Sequence, residues 1–217
     1  LSVSSFYQFQ WKRTDKLYEL WCFLQFIKAL EEKGWELATG PAVVQEDGKY
    51  RLSSLEEGTE ITLSRNDEKI HLIYDGTVPQ HASDTGRETD PLYTNNVHRR
   101  PDLRMDYYRN GAYNGSLVAD FKYRDIFFLW RDAARSAGIR TQFNAYRDMN
   151  TKFYRDMTET ESLRNSRPVK EVWAVFPKEI PEGSDDDFNL RFISLAPGLK
   201  ANEKLADMLE NYIESLH

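Results

Sequence analysis

A single cysteine, Cys22, occurs in the 217 residues, and it lies inside the hydrophobic run "LWCFLQFI". An internal disulfide framework and a Cys-rich zinc site are therefore excluded, and the usage suits a reducing, cytoplasmic setting. No stretch approaches the ~20 consecutive apolar residues that span a bilayer, so no membrane association is expected; the N-terminus carries no signal-peptide pattern. The four histidines, His71, His81, His98 and His217, show no ligand spacing. Polybasic runs, recognition helices, zinc fingers, internal repeats and low-complexity tracts are all missing. A net charge of −6 argues against a nucleic-acid binder on total charge alone. The chain opens on Leu1, which leads us to expect a piece of a longer polypeptide, with 1–14 as an extension or linker and 15–217 as one domain.

Aromatic residues, by contrast, are plentiful (12 Phe, 12 Tyr, 5 Trp) and hydrophobics reach 40%, so one sizeable core is easily supplied. Charge is unevenly spread. Arg99, Arg100, Arg104, Arg109, Arg124, Arg131, Arg135, Arg140, Arg147 and Arg155 crowd residues 98–155, whereas acid collects in "EEGTE" and "EGSDDDF". A basic middle between acidic flanks still offers a local phosphate-binding surface.

Residues 15–33 read as an amphipathic helix, with Leu17, Leu20, Trp21, Leu24, Ile27 and Leu30 at helical spacing and Gly34 just past the end. Short β-prone runs follow, "WELATG" through "AVVQE", "YRLSSL", "EITLSR" and "KIHLIYD", separated by turn signals. Residues 76–97 show no periodicity, and a loop this long inside a compact domain is either functional or disordered. A hairpin over roughly 98–107 and 115–124 comes next, then a helix over 140–157 with Phe143, Tyr146 and Phe153 along one side. The strands "KEVWAVFP" and "NLRFISLAP" flank an acidic loop, and a helix over 201–216 closes the chain. This order predicts an α/β domain around one mixed sheet flanked by helices.

The hairpin carries the chemistry. Side chains two apart on a strand share a face, so "LVADFKY" puts Val118, Asp120 and Lys122 on one side and Ala119, Phe121 and Tyr123 on the other. In "PDLRMDY" the same rule groups Asp102, Arg104 and Asp106 against Leu103, Met105 and Tyr107. The apolar sets are expected to face the core. If the strands pair, Asp102 and Asp120 converge, and two carboxylates at that range repel unless a cation sits between them. A hard divalent ion such as Mg²⁺ is the simplest resolution, with Mn²⁺ as a substitute. Lys122 beside it would orient or deprotonate a water, or steady the charge of a phosphoryl transition state.

"RPD" at 100–102 followed by "DFK" at 120–122 resembles the signature of the PD-(D/E)XK, or restriction-endonuclease-like, nucleases. The resemblance implies Mg²⁺-dependent phosphodiester hydrolysis, with Asp102 and Asp120 as metal ligands and Lys122 assisting the water. Many members add a glutamate from the helix before the sheet, and Glu19 in "KLYELW" matches it as a third catalytic and metal-binding acid. Glu19 also heads a stripe of Phe23, Phe26 and Leu30, all within about 40° on a helical wheel, an awkward place for an unpaired charge. Gln142 and Tyr146 in "QFNAY" match the Gln-x-x-x-Tyr element of RecB-like branches, near the DNA backbone. "LYELWCFLQFIKAL", "ADFKYR", "NAYRD" and "LRFISLAPG" together resemble the C-terminal nuclease domains of McrC- and LlaJI-type restriction subunits. That likeness implies a DNA endonuclease in restriction or defence, often beside an AAA+ NTPase motor, and homodimers for double-strand cuts. Arg100, Arg124 and Arg147, with Arg99 and Arg140, are the expected backbone contacts. The alternatives are a catalytically silent module of the same fold that binds DNA or docks a motor, and a nuclease acting on RNA or on ends.

Overall fold

The computed structural model describes residues 14–40, 55–125, 134, 136–155, 157–159, 162–163, 166–178, 189–198 and 204–217, with backbone alone at 43–46 and 49–52. The acidic loop after residue 178, Arg131 and Arg135 lie outside the described residues. Helix α1 (Thr14–Glu32) leads into strands β1 (Glu36–Thr39), β2 (Val43–Glu46), β3 (Lys49–Leu52), β4 (Thr59–Arg65) and β5 (Glu68–Tyr74). The hairpin β7 (Leu103–Arg109) and β8 (Ala112–Phe121) follows short β6 (Leu92–Tyr93). Helix α2 (Ala137–Arg147), short β9 (Asn150–Thr151), β10 (Val169–Phe176), β11 (Leu190–Ser194) and helix α3 (Leu205–Ser215) complete the order.

Seven strands form one mixed sheet in the order β1-β4-β5-β7-β8-β10-β11. The first five pair antiparallel, while β8, β10 and β11 run parallel. The parallel strands are covered on both faces, which is why "VWAVF" is a continuous apolar run with no alternation. One face packs against α1 and α3 through Phe23, Phe26, Leu30, Leu103, Met105, Ala119, Phe121, Trp173 and Ile213. The alternation read from the hairpin is met here: Leu103, Met105 and Tyr107 all lie in this core. Tyr123 departs from it, being 52% exposed with its ring 5.5 Å from that of Tyr18, because β8 has already ended at Phe121.

Three expectations are corrected by the coordinates. The buried side of α1 is Tyr18, Cys22, Phe23, Phe26, Ile27, Ala29 and Leu30, whereas Leu17, Leu20, Trp21 and Leu24 are only partly buried. The helix is apolar on most of its circumference, so spacing alone sets the stripe off-centre. Ile27 and Leu30 are buried as expected and Leu20, Trp21 and Leu24 pack at the core's margin, while the buried side is centred on the stripe headed by Glu19. The hairpin is tighter than 98–107 and 115–124, turning on Asn110 (φ 51) and Gly111 (φ 77), the left-handed pair a two-residue turn demands. The helix over 140–157 stops at Arg147, because Asn150–Thr151 pairs with Leu92–Tyr93 instead and the Thr151 hydroxyl donates to the Pro91 carbonyl at 2.6 Å.

The second face of the sheet is likewise covered. Val78, Leu92, Tyr108, Tyr113, Val118, Phe143, Tyr146, Val172 and Phe176 form a second core under α2 and the 76–97 segment. That segment is thus a structural cover: Val78 and Leu92 are fully buried. A bulge sets the parity of β8, since Tyr107 pairs with Gly115 but Tyr108 with Tyr113. Tyr113 before it and Val118 after it consequently reach the same core. Gly115 sits at φ 143, and a Cβ there would lie 3.0 Å from the Pro168 carbonyl and 3.1 Å from Leu216. Only glycine fits, and this bend turns Ser116, Val118 and Asp120 towards the second face.

Candidate active site

Two paired strand ends bring the hairpin acids together. The register Leu103↔Ala119 continues outward to set Asp102 across from Asp120. Asp102 is partly buried, and its Oδ2 accepts a 2.6 Å hydrogen bond from the Phe121 amide. Asp120 is 1% exposed. Lys122 Nζ stands 2.6 Å from Asp120 Oδ2, but off the direction of a hydrogen bond, so that oxygen is paired in charge and still accepts no well-aligned donor. Burial and then the Asp120 charge hold the Asp102 carboxyl well above the usual carboxylate range, with Glu19 adding to the effect; Lys122 and the Phe121 amide offset it only in part. Burial opposes the charge on Lys122, yet Asp120 and Asp102 outweigh it and keep the amine protonated above its ordinary range.

This donor set suits a hard dication. Two carboxylates repel across paired strands, and one buried oxygen lacks an aligned donor, which is the condition a bound Mg²⁺ or Mn²⁺ relieves. A third acid is not at hand in the same place: among the described residues no three potential ligands cluster at coordinating range.

Glu19 approaches from α1 but is held elsewhere. Its Oε2 accepts from Lys16 Nζ at 2.7 Å, and the Tyr74 hydroxyl lies at 3.5 Å. Lys16 also donates to Asp75 Oδ2 at 2.8 Å. Asp75 was not anticipated from the sequence. It follows β5 in the left-handed region (φ 48), its amide donates to the Asp102 carbonyl at 2.9 Å, and its Oδ1 accepts from Arg100 Nε at 2.7 Å. The available signal was the strand-ending "YDG", since aspartate before glycine is a common turn and the residue tolerates φ > 0. Arg100 is further paired with Glu57 at 2.5 Å, so its guanidinium is occupied by two acids.

Helix α2 closes the opposite side. Gln142 Nε2 donates to the Tyr146 hydroxyl at 2.7 Å and makes a long 3.4 Å contact with Asp120 Oδ1. Tyr146 donates in turn to the Arg100 carbonyl at 3.0 Å; burial, then the Asp120 charge, keep its phenol protonated. The one-turn spacing of the two residues thus links α2 to both strands. Arg124 is exposed two residues beyond Lys122. Arg147 lies away from Gln142 on the helix and contacts Asp148 at 3.4 Å; Arg99 Nη1 donates to the Val78 carbonyl at 2.9 Å. Arg140 Nε donates to the Ser136 hydroxyl at 3.0 Å.

Arg104 and Asp106, on the same face of β7, are drawn into a different cluster. Arg104 (2% exposed) donates to Asp106 Oδ2 at 2.9 Å and to Asp90 Oδ1 at 2.8 Å, beneath the 76–97 segment.

Residues 16–180 match the family model of the PD-(D/E)XK nuclease superfamily, a span that holds all but the first two residues of α1, the whole hairpin, α2 and β10. No curated protein and no solved structure matches the chain. The family match covers well over half of the residues, and the chain belongs to the PD-(D/E)XK nuclease superfamily, with its α/β, restriction-endonuclease-like fold.

Proposed function

We propose that this PD-(D/E)XK nuclease is a Mg²⁺- or Mn²⁺-dependent deoxyribonuclease whose working acids are Asp102 and Asp120. The observation that carries the reading is Asp120, 1% exposed, facing Asp102 and left with an oxygen that has no aligned donor. Those two carboxylates would hold the ion, which when bound supplies charge neutralisation and a more acidic water. Lys122 remains an ammonium beside Asp120, so it acts as a donor that orients the nucleophilic water and stabilises charge on the phosphoryl oxygens, not as the base. Gln142 and Tyr146 set the angle of Asp120 against the strand end. Arg124, Arg140 and Arg147 are proposed to seat backbone phosphates, with Arg99 and Arg100 shaping the rim through their contacts to Val78 and Asp75.

The test is plasmid nicking with added Mg²⁺ or Mn²⁺. Asp120→Ala should abolish it while far-UV circular dichroism stays unchanged; cleavage at the wild-type rate would contradict the proposal. Linear and circular substrates, and RNA beside DNA, distinguish an endonuclease from an end-directed or RNA-cleaving enzyme.

The proposed setting is cytoplasmic restriction or other defence against foreign DNA. It rests on the resemblance of "ADFKYR", "NAYRD" and "LRFISLAPG" to McrC- and LlaJI-type nuclease domains, and it brings with it an AAA+ motor partner and homodimerisation for double-strand cuts. Residues 15–217 would then be the nuclease domain and 1–14 its linker. A second reading, a silent DNA-binding or docking module, is favoured by one observation, the lack of a three-acid cluster among the described residues. Calorimetry that detects no divalent-ion binding would support it over the enzyme.

A further inference from the structure

Four acids approach the strand ends, and they divide into two pairs that are neutralised differently. The Lys122 ammonium lies 2.6 Å from Asp120 and reaches Asp102 by its charge alone. Glu19 and Asp75 instead share one ammonium, Lys16, whose Nζ lies 2.7 Å from the first and 2.8 Å from the second. The Lys16 ammonium also lies 5.0 Å from the centre of the Tyr74 ring, so three groups fix it. Arg100 supplies a second positive charge to Asp75 from the other side. The Glu19–Asp75 pair is therefore complete in charge and in hydrogen bonds before any ion arrives, whereas the Asp102–Asp120 pair is not.

We infer that Lys16 is a built-in cation that takes the place of a second metal ion, restricting this nuclease to one dication, held by Asp102 and Asp120. A dication entering between Glu19 and Asp75 would have to displace an ammonium bound by two short charge-assisted hydrogen bonds, and Mg²⁺ sheds its own water reluctantly. Glu19 is drawn away from Asp102 by its hydrogen bond from Lys16, on a helix anchored by Phe23, Phe26 and Leu30, each 0% exposed. The absence of a three-acid cluster among the described residues follows from this diversion. Glu19, expected from the family pattern as a metal ligand, then acts on the site through its charge alone.

The inference rests on the two-aspartate reading above, and one set of titrations separates the two. The full chain, stripped with chelator, is titrated with Mn²⁺ and followed by calorimetry and by the electron paramagnetic resonance of free Mn²⁺. One ion per chain is expected for the wild type and for Lys16→Arg, which keeps the charge. Lys16→Met should bind two, as Glu19 Oε2 and Asp75 Oδ2 lose the ammonium between them while Arg100 stays on Asp75 Oδ1. Glu19→Gln should keep the first ion within about threefold of wild-type affinity, well inside a tenfold change. Lys16 is 38% exposed, so its replacement should leave the fold intact, and thermal unfolding checks this. Two ions in the wild type, one ion in a folded Lys16→Met chain, or a tenfold loss in Glu19→Gln would overturn the role of Lys16. An Asp120→Asn chain that keeps the wild-type ion would instead strike at the two-aspartate site itself.

Discussion

Asp106 and Asp120 lie on the same face of one hairpin, at 0% and 1% exposure, and their surroundings differ sharply. Asp106 receives Arg104 Nε at 2.9 Å and the Ser116 hydroxyl at 2.5 Å, and Ser116 is itself 2.6 Å from the Tyr113 hydroxyl. Asp120 has a long contact with Gln142 and a misdirected ammonium. Both acids cost free energy to bury, and only one is completed by the chain. Polar groups kept inside a strand for structure find partners within the protein; a pair left short of them marks where something from outside is received.

The comparison is sharpened most by removing the completed acid. Asp106→Ala leaves the buried Arg104 guanidinium with Asp90 as its remaining carboxylate and the Ser116 hydroxyl without its acceptor, which should cost about 3 kcal/mol by denaturant unfolding, while cleavage per folded molecule stays near wild type. A loss of activity in the folded fraction would erase the distinction between the two ends. Lys122→Ala should instead act on the chemistry, lowering cleavage per folded molecule about 10²–10³-fold, the scale for removing one charge-stabilising donor.

A smaller effect should come from Asp102→Asn. Because the Asp102 carboxyl titrates well above its ordinary value, the folded state binds more protons there than the unfolded state, so stability falls as pH rises past the unfolded value of 3.8. Asp106 is shifted in the same direction, by burial, so the variant is needed to isolate Asp102. At neutral pH without metal, Asp102→Asn should be more stable than the wild type by about 1 kcal/mol, the usual return for relieving a functional site. Mn²⁺ should raise the melting temperature of the wild type and leave that of the variant unmoved. Weakest of all, Gln142→Ala should reduce cleavage by about twofold to tenfold, since a 3.4 Å contact is a poor hydrogen bond.

Much of this was legible from residue order. Strand alternation assigned the apolar side of the hairpin correctly as far as Phe121, where the strand ends and Tyr123 escapes it, because a period of two leaves no other choice once Leu103, Met105 and Phe121 must be buried. Asp102 and Asp120 came with it. What spacing could not supply was the cover of the second face, where Val78 and Leu92 come from a segment without periodicity. The end of α2 was missed for a related reason: pairing of Asn150–Thr151 with β6 is a tertiary contact that overrides local helix preference. Asp75 and Lys16 were missed because each is a single charged residue at an element's edge, and only the fold brings them 2.8 Å apart.

The central claim is that an ion completes the Asp102–Asp120 pair. Crystals soaked in Mn²⁺ and measured for anomalous scattering test it most directly. The account predicts one strong peak about 2.1 Å from a carboxylate oxygen of each of these residues, with Lys16 still seated between Glu19 and Asp75. A peak centred on Glu19 and Asp75, or no peak at a concentration that supports cleavage, would contradict it.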